Sequence, residues 1–260
     1  MSKRTSELLG KLKVDTIELL AENLVGVYLH GSYVLGSYNE QVSDLDYVIV
    51  VKRPLSFTEK QALMTKTITD LWPLSPAKGL EFHVLLQADT QHFKQPLPFD
   101  FHFSKMHYSD YMANPTHYIE TMTGTDPDLA AHLMILTKAG KVLTGPPIAT
   151  VFSSVPVADY WNSLIFDVAD APQTIVEQPM YTILNLCRVL AYRREKLILS
   201  KAGGGQWGLM QLPSKYHALI EAALAAYRDN VTQDLSQYSE EKLTEFATWL
   251  LMEIERKSVN

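Results

Sequence analysis

The sequence predicts an α/β N-terminal domain, a mixed sheet with helices, followed by an all-α helical-bundle C-terminal domain. Three observations carry that expectation. Short runs rich in β-formers alternate with helical stretches in the first part of the chain. Beyond the breaker Gly145-Pro146-Pro147 the apolar residues recur only at helical spacing. The composition, 47% apolar and 20% charged over 260 residues, is that of a globular chain long enough to bury a sizeable core.

In chain order, residues 5–22 read as an amphipathic helix with Leu9, Leu12 and Leu20 among its apolar positions. NLVGVYLHGS follows as a buried strand ending at Gly31-Ser32. LDYVIVV and EFHVLL are a second and a third strand, with the helical stretch LSFTEKQALMTKTITDLW between them. Leu129, Leu133, Leu136, Gly140 and Leu143 repeat at helical spacing after the helix start Asp126-Pro127-Asp128. Further helices are expected at 157–169, 178–198, 212–229 and 239–257. In the last, Ser239 is the N-cap, Glu240 and Glu241 sit in the first turn, and Leu243, Phe246, Leu250 and Ile254 form one stripe. The domain boundary is accordingly expected near 150, giving domains 1–150 and 151–260.

Charge and composition narrow the function. A formal net charge of −6 argues against a general nucleic-acid binder, which carries a basic footprint. The single cysteine, Cys187, permits neither an internal disulfide nor a cysteine-based zinc site. No stretch offers the roughly 20 apolar residues of a membrane span, and the N-terminus lacks the apolar core of a signal peptide. The chain is therefore expected in the cytoplasm, as a monomer, away from membranes and nucleic acid.

The chemistry concentrates in HGSYVLGSYNEQVSDLDYVIV. Asp44 and Asp46, two positions apart at a strand start, point to the same face. Like charges side by side repel, and a divalent oxygen-loving cation such as Mg²⁺ is the simplest reason to keep them together. The turn at Gly31 and Ser32 lets the backbone approach a phosphate closely, and the hydroxyls of Ser32 and Ser43 are natural phosphate contacts. The plainer alternative is an Asx turn before an edge strand. Glu81, opening the third strand, adds a further acid.

Gly31-Ser32 followed by Ser43-Asp44-Leu45-Asp46 resembles the GS…(S/T)D(L/I)D signature of the polymerase-β-like nucleotidyltransferases. Glu81, DPDLAAHLMILTKAGKVLTGPP, TILNLCRVLAYRREK and KAGGGQWGLMQLP resemble, in the same order, the aminoglycoside adenylyltransferases that act on streptomycin and spectinomycin. The resemblance runs over nearly the whole chain. It implies transfer of AMP from ATP to a hydroxyl of a small acceptor, an aminocyclitol or aminoglycoside. Asp44 and Asp46 would carry Mg²⁺, and Ser32 and Ser43 would meet the phosphates. Glu81 would be the general base; the plainer alternative for it is an ordinary strand-start carboxylate. Arg188 and Lys201 would reach the triphosphate of an ATP lying between the domains, and Tyr227 would pack near adenine.

The helix around Arg188 offers an independent check. Ile183, Leu186, Cys187 and Leu190 form an apolar stripe, which makes Cys187 a core residue. Arg188 falls on the other side with Tyr181, Asn185 and Tyr192, a face that is either solvated or lines a cleft.

On the acceptor side the chain departs from the family. Met106-His107 stand where the family has a Trp after the FDFHFSK segment, and Gln178 and Tyr181 replace an acidic and a His position. The lost stacking surface and charge partner weigh against streptomycin. Asp100, His102, His107, Asp110 and Glu177 are the candidates for the acceptor pocket. His83 shares a strand face with Glu81 and borders the site. His30 precedes the Gly-Ser turn, and no histidine spacing suggests zinc. Two other readings stay open: the same chemistry on a metabolite or protein acceptor, and a non-catalytic nucleotide-binding regulator.

Overall fold

The computed structural model describes residues 2–229 and 235–256. The chain divides into two compact units, 1–160 and 161–260. The stretch after 150 stays with the first unit because Thr90 donates to the Val151 carbonyl (2.8 Å) and Ser153 bonds back to Thr90.

The first unit is built on a five-stranded sheet. Its strands are β1 (Leu24–Leu29), β2 (Leu45–Val51), β3 (Leu80–Leu86), then β5 (Phe101–Phe103) and β7 (Lys141–Thr144), in the order β5-β3-β2-β1-β7. β2 and β3 are parallel and the other pairings antiparallel. β4 (Leu97–Phe99) and β6 (Gly124–Asp126) form a separate antiparallel pair.

All seven residues of β2 are buried, which is why it reads as a continuous apolar run. Tyr47, Ile49 and Val51, with Phe82, Val84, Phe101 and Phe103 from the neighbouring strands, face one hydrophobic core shared with Leu8 and Leu12. The two-residue period then sends Asp46, Glu81, His83 and His102 to the opposite face. That alternation positions the site.

The first helix, Lys3–Leu20, starts where Ser2 accepts from the Thr5 N–H, and buries the expected Leu9, Leu12 and Leu20. The second runs over Phe57–Lys66 from a capping box of Ser56 and Glu59, then continues through a π turn at Thr67–Leu71. Helix Leu129–Ala139 ends at Gly140, so Leu143, expected on its stripe, lies instead in β7. The edge pairing with β1 outweighs a helical spacing that Gly140 interrupts.

Among the described residues the second unit holds helices and no strand: Ala171–Glu177, Pro179–Glu195, Lys201–Gln211, His217–Asp229 and Glu240–Glu255, entered from helix Val157–Val168. Ser239 caps the last helix by accepting from Lys242 N–H, as expected, and its expected final position, 257, lies outside the described residues. Helix Lys201–Gln211 was not expected, because three consecutive glycines are poor helix formers. They serve close packing: a Cβ on Gly204 would lie 2.6 Å from Arg188 Cβ, and one on Gly205 would meet Leu184 and Leu224 at 2.7 Å. Within the described residues, no helix is long and apolar enough to cross a membrane.

Candidate active site

Asp46 and Glu81 are direct register partners across the parallel pair β2–β3. Asp44 precedes β2 by one residue, and carboxylate oxygens of Asp44, Asp46 and Glu81 all lie within 4.8 Å of one another. Asp46 is 9% exposed, so its charge is largely removed from water. Three acids this close, with only oxygen donors, suit a hard cation such as Mg²⁺. The Asx turn in the preceding loop belongs to Asn39, whose Oδ1 accepts from Gln41 N–H.

Gly31 explains the Gly-Ser turn. Its φ is +61°, and a Cβ there would sit 1.7 Å from Asp46 Oδ2. Only glycine lets the turn and the carboxylate share this space. Beside it, Ser32 Oγ is buried and makes no hydrogen bond to protein, a polar group left for a ligand. Ser43 differs: it is 3% exposed, and its Oγ accepts from Asn39 N–H at 3.1 Å while its own N–H donates to the Asn39 carbonyl. It closes the loop that carries Asp44, with its hydroxyl proton still to donate.

Around the carboxylates lies a histidine cluster. His102 Nε2 is 3.6 Å from Glu81 Oε1, His83 Nε2 is 3.2 Å from Asp126 Oδ2, and His132 Nε2 is 3.3 Å from Asp128 Oδ2. His30 and His132 rings lie 4.9 Å apart, and those of His83 and His102 stack at 3.9 Å. Burial pushes His30 well below its usual pKa, and takes His83 down to about 4 despite the opposing Asp126. Burial also works against a charge on His132, but Asp128, together with Glu81 and Asp46, raises it to about 10. Burial alone would raise Glu81; His102, His132 and His83 more than offset this and hold it well below the carboxylate range. Glu81 is thus ionised at neutral pH, the form that accepts a proton or holds a cation.

In the second unit Arg188 lies in a polar network. Arg188 Nε donates to Asn185 Oδ1 at 2.7 Å, and its Nη2 is 3.4 Å from Asp167 Oδ2. Asn185 Nδ2 donates to the same oxygen at 2.6 Å, and Tyr181 hydroxyl donates to Asp167 Oδ1. Asn185 is 1% exposed and Tyr192 is buried. Lys201 Nζ sits 4.3 Å from the centre of the Tyr181 ring. Tyr227 is buried on helix His217–Asp229, and Cys187 is a core residue whose thiol burial pushes up to about 12.

Of the acceptor-pocket candidates, His102 and His107 belong to the cluster, their rings 5.0 Å apart. Asp100 is instead structural: it accepts from Leu55 N–H at 2.9 Å and pairs with Lys60. Asp110 and Glu177 are exposed. Asp167 and His132 escaped the sequence reading, and Asp126 and Asp128 entered it only as a helix start. The one signal for His102 was the period-two pattern FHF, matching EFH two strands away in the chain.

Comparison with known proteins agrees with both halves. Residues 12–102 match the family model of a nucleotidyltransferase domain, and residues 150–253 that of the aminoglycoside adenylyltransferase C-terminal domain. Asp44, Asp46 and Glu81 fall in the first match, and Arg188, Lys201 and Tyr227 in the second. The chain is 24% identical over 218 residues to a spectinomycin 9-adenylyltransferase of Staphylococcus aureus, covering 81% of this chain and 80% of that protein. A protein of the same description from Campylobacter jejuni is 22% identical, with 86% of each covered. The crystal structure of a spectinomycin adenyltransferase from Enterococcus faecalis, with ATP and spectinomycin, shares the fold. Its TM-score is 0.80 at 20% identity, covering 96% of this chain and 99% of that one.

Proposed function

We propose that the chain, an adenylyltransferase of the aminoglycoside adenylyltransferase-like nucleotidyltransferases, transfers AMP from ATP to a hydroxyl of an aminocyclitol, spectinomycin first among them. The observation that carries this reading is the convergence of Asp44, Asp46 and Glu81 on adjacent parallel strands. The names of its relatives supply the acceptor class.

In this mechanism Asp44 and Asp46 would hold Mg²⁺, and their oxygen set fits that ion. Bound there, the ion would supply charge stabilisation for the α-phosphoryl group and the departing pyrophosphate. Ser32 donates its unpaired hydroxyl to a phosphate oxygen, and Gly31 keeps the backbone close; Ser43 donates its remaining proton. Arg188 and Lys201 neutralise phosphate charge, and Tyr227 packs near adenine. Glu81 accepts the proton of the acceptor hydroxyl as its oxygen bonds to the α-phosphorus. The bond from α-phosphorus to the bridging oxygen breaks and pyrophosphate leaves.

Purified protein with ATP, Mg²⁺ and spectinomycin is expected to release pyrophosphate. Asp46→Asn should abolish release, and Glu81→Gln should keep ATP affinity while losing turnover by roughly two orders of magnitude or more. Absence of release across a panel of aminocyclitols and aminoglycosides, with ATP bound, would overturn the antibiotic acceptor. A different hydroxylated acceptor is the second reading. It is favoured by Met106, 86% exposed, standing with His107 where the resembling family carries a Trp.

A further inference from the structure

Five histidines near the three carboxylates have no part in the mechanism above, and one is held in an unusually determined way. His102 is the register partner of His83 across β3 and β5, so both rings leave the sheet on the Glu81 face. They stack in parallel, centroids 3.9 Å apart and planes 3° apart. His83 Nε2 itself lies 3.2 Å from Asp126 Oδ2. On another side His107 meets the His102 ring edge-on at 5.0 Å, with its own Nδ1 against Ser104 Oγ at 3.1 Å. Phe99 adds an edge contact at 5.9 Å. His102 Nε2 is buried without a hydrogen bond to any other group and lies 3.6 Å from Glu81 Oε1.

A metal shared by the two rings is the obvious alternative, since Glu81, His83 and His102 offer ligand atoms within 4.8 Å of one another. The stack argues against it. Imidazole lone pairs lie in the ring plane, and on parallel rings they run side by side and do not converge on one ion.

We infer that His102, clamped between His83 and His107, is a positioning residue that fixes the Glu81 carboxylate for proton abstraction. Glu81 faces Asp44 and Asp46, whose like charges push its carboxylate away. The His102 ring nitrogen, 3.6 Å from Glu81 Oε1, restrains it against that repulsion. The contact is slightly longer than a hydrogen bond, and such contacts tighten when substrate binds. The role rests on the adenylyl-transfer reading, in which Glu81 takes the acceptor proton.

Two measurements test it separately. In the pyrophosphate-release assay with ATP, Mg²⁺ and spectinomycin, His102→Ala should lower kcat about 10- to 100-fold, the range for partners that orient a reacting group. The KM for ATP should stay within about twofold, because the residue orients the base and does not bind nucleotide. His102→Gln, which keeps a donor, should recover much of the loss, and the exposed His92→Ala should behave as wild type. Equal loss in the Ala and Gln variants, with melting curves unchanged, would assign the effect to ring packing and overturn the proposal. So would wild-type kcat in His102→Ala.

Histidine side-chain ¹⁵N spectra need no turnover. Glu81→Gln should move the His102 Nε2 resonance and leave that of His92 in place; an unmoved His102 signal overturns the positioning role. If wild type turns over no acceptor, the functional reading fails and the spectra alone decide the contact.

Discussion

Gly31 shows how completely one residue can be determined by the side chain it faces. A methyl group there collides with Asp46 Oδ2 at 1.7 Å, and the φ of +61° disfavours any L side chain by about 1–2 kcal/mol. Gly31→Ala is therefore expected to displace Asp46. It should cut pyrophosphate release about 100-fold or more while lowering stability by about 1–3 kcal/mol in urea titrations. Near-normal activity in that variant would mean that Asp46 has another place to go. The neighbouring serines, alike in sequence, differ in structure. Ser32 keeps a buried hydroxyl without a protein partner, whereas Ser43 closes its own loop. Nothing in the local sequence separates the two, because the difference depends on where Asn39 folds back.

At the scale of elements, two helical glycines give opposite expectations. Gly10, on the exposed side of helix Lys3–Leu20, has no atom within 4 Å of a would-be Cβ. Gly10→Ala should stabilise the protein by about 0.5–1 kcal/mol, the helix-propensity difference. Gly204 would gain the same propensity, but its Cβ would meet the Arg188 Cβ at 2.6 Å and backbone N at 2.8 Å. Backbone does not yield as a flexible side-chain end does, and overpacking of this kind costs about 1–3 kcal/mol. Packing outweighs propensity, so Gly204→Ala should destabilise by roughly 1–2 kcal/mol, read as a lower denaturation midpoint. Its reach into the Arg188 helix should also raise the KM for ATP if Arg188 contacts phosphate. The same contest explains why helix Lys201–Gln211 was invisible to pattern reading: its reason to exist is the neighbouring helix.

For the whole molecule, burial and charge combine in a pH dependence of stability. His132 is flanked by Asp128, Asp46, Glu81, His30 and His83, and its pKa in the fold is raised to about 10 against an ordinary 6.5. A raised value means that the folded state holds the proton more tightly than the unfolded one. This contribution is complete below pH 6.5 and is lost as pH rises from there towards 10. Metal-free protein should therefore melt at progressively lower temperature over that window, and His132→Gln should flatten the slope. An unchanged slope would show that His132 is not charged in the fold.

Much of this protein was open to reading from its residues alone. The strands around Asp46 and Glu81, the helical second half, the Ser239 cap and the core placement of Cys187 all follow from local periodicity and turn chemistry, and the structure has each of them. Asp44 and Asp46 were found because residues two positions apart at a strand start would share a face, although the strand itself begins between them at Leu45. The tertiary structure alone decided which strands lie side by side. The parallel register of β2 with β3 puts Glu81 beside Asp46, and the antiparallel register of β3 with β5 lays His102 on His83. Neither pairing leaves a mark in sequence spacing, because register is set by long-range packing of the buried face. Asp167 joined Arg188 for the same reason, through two helices whose contact no local pattern encodes.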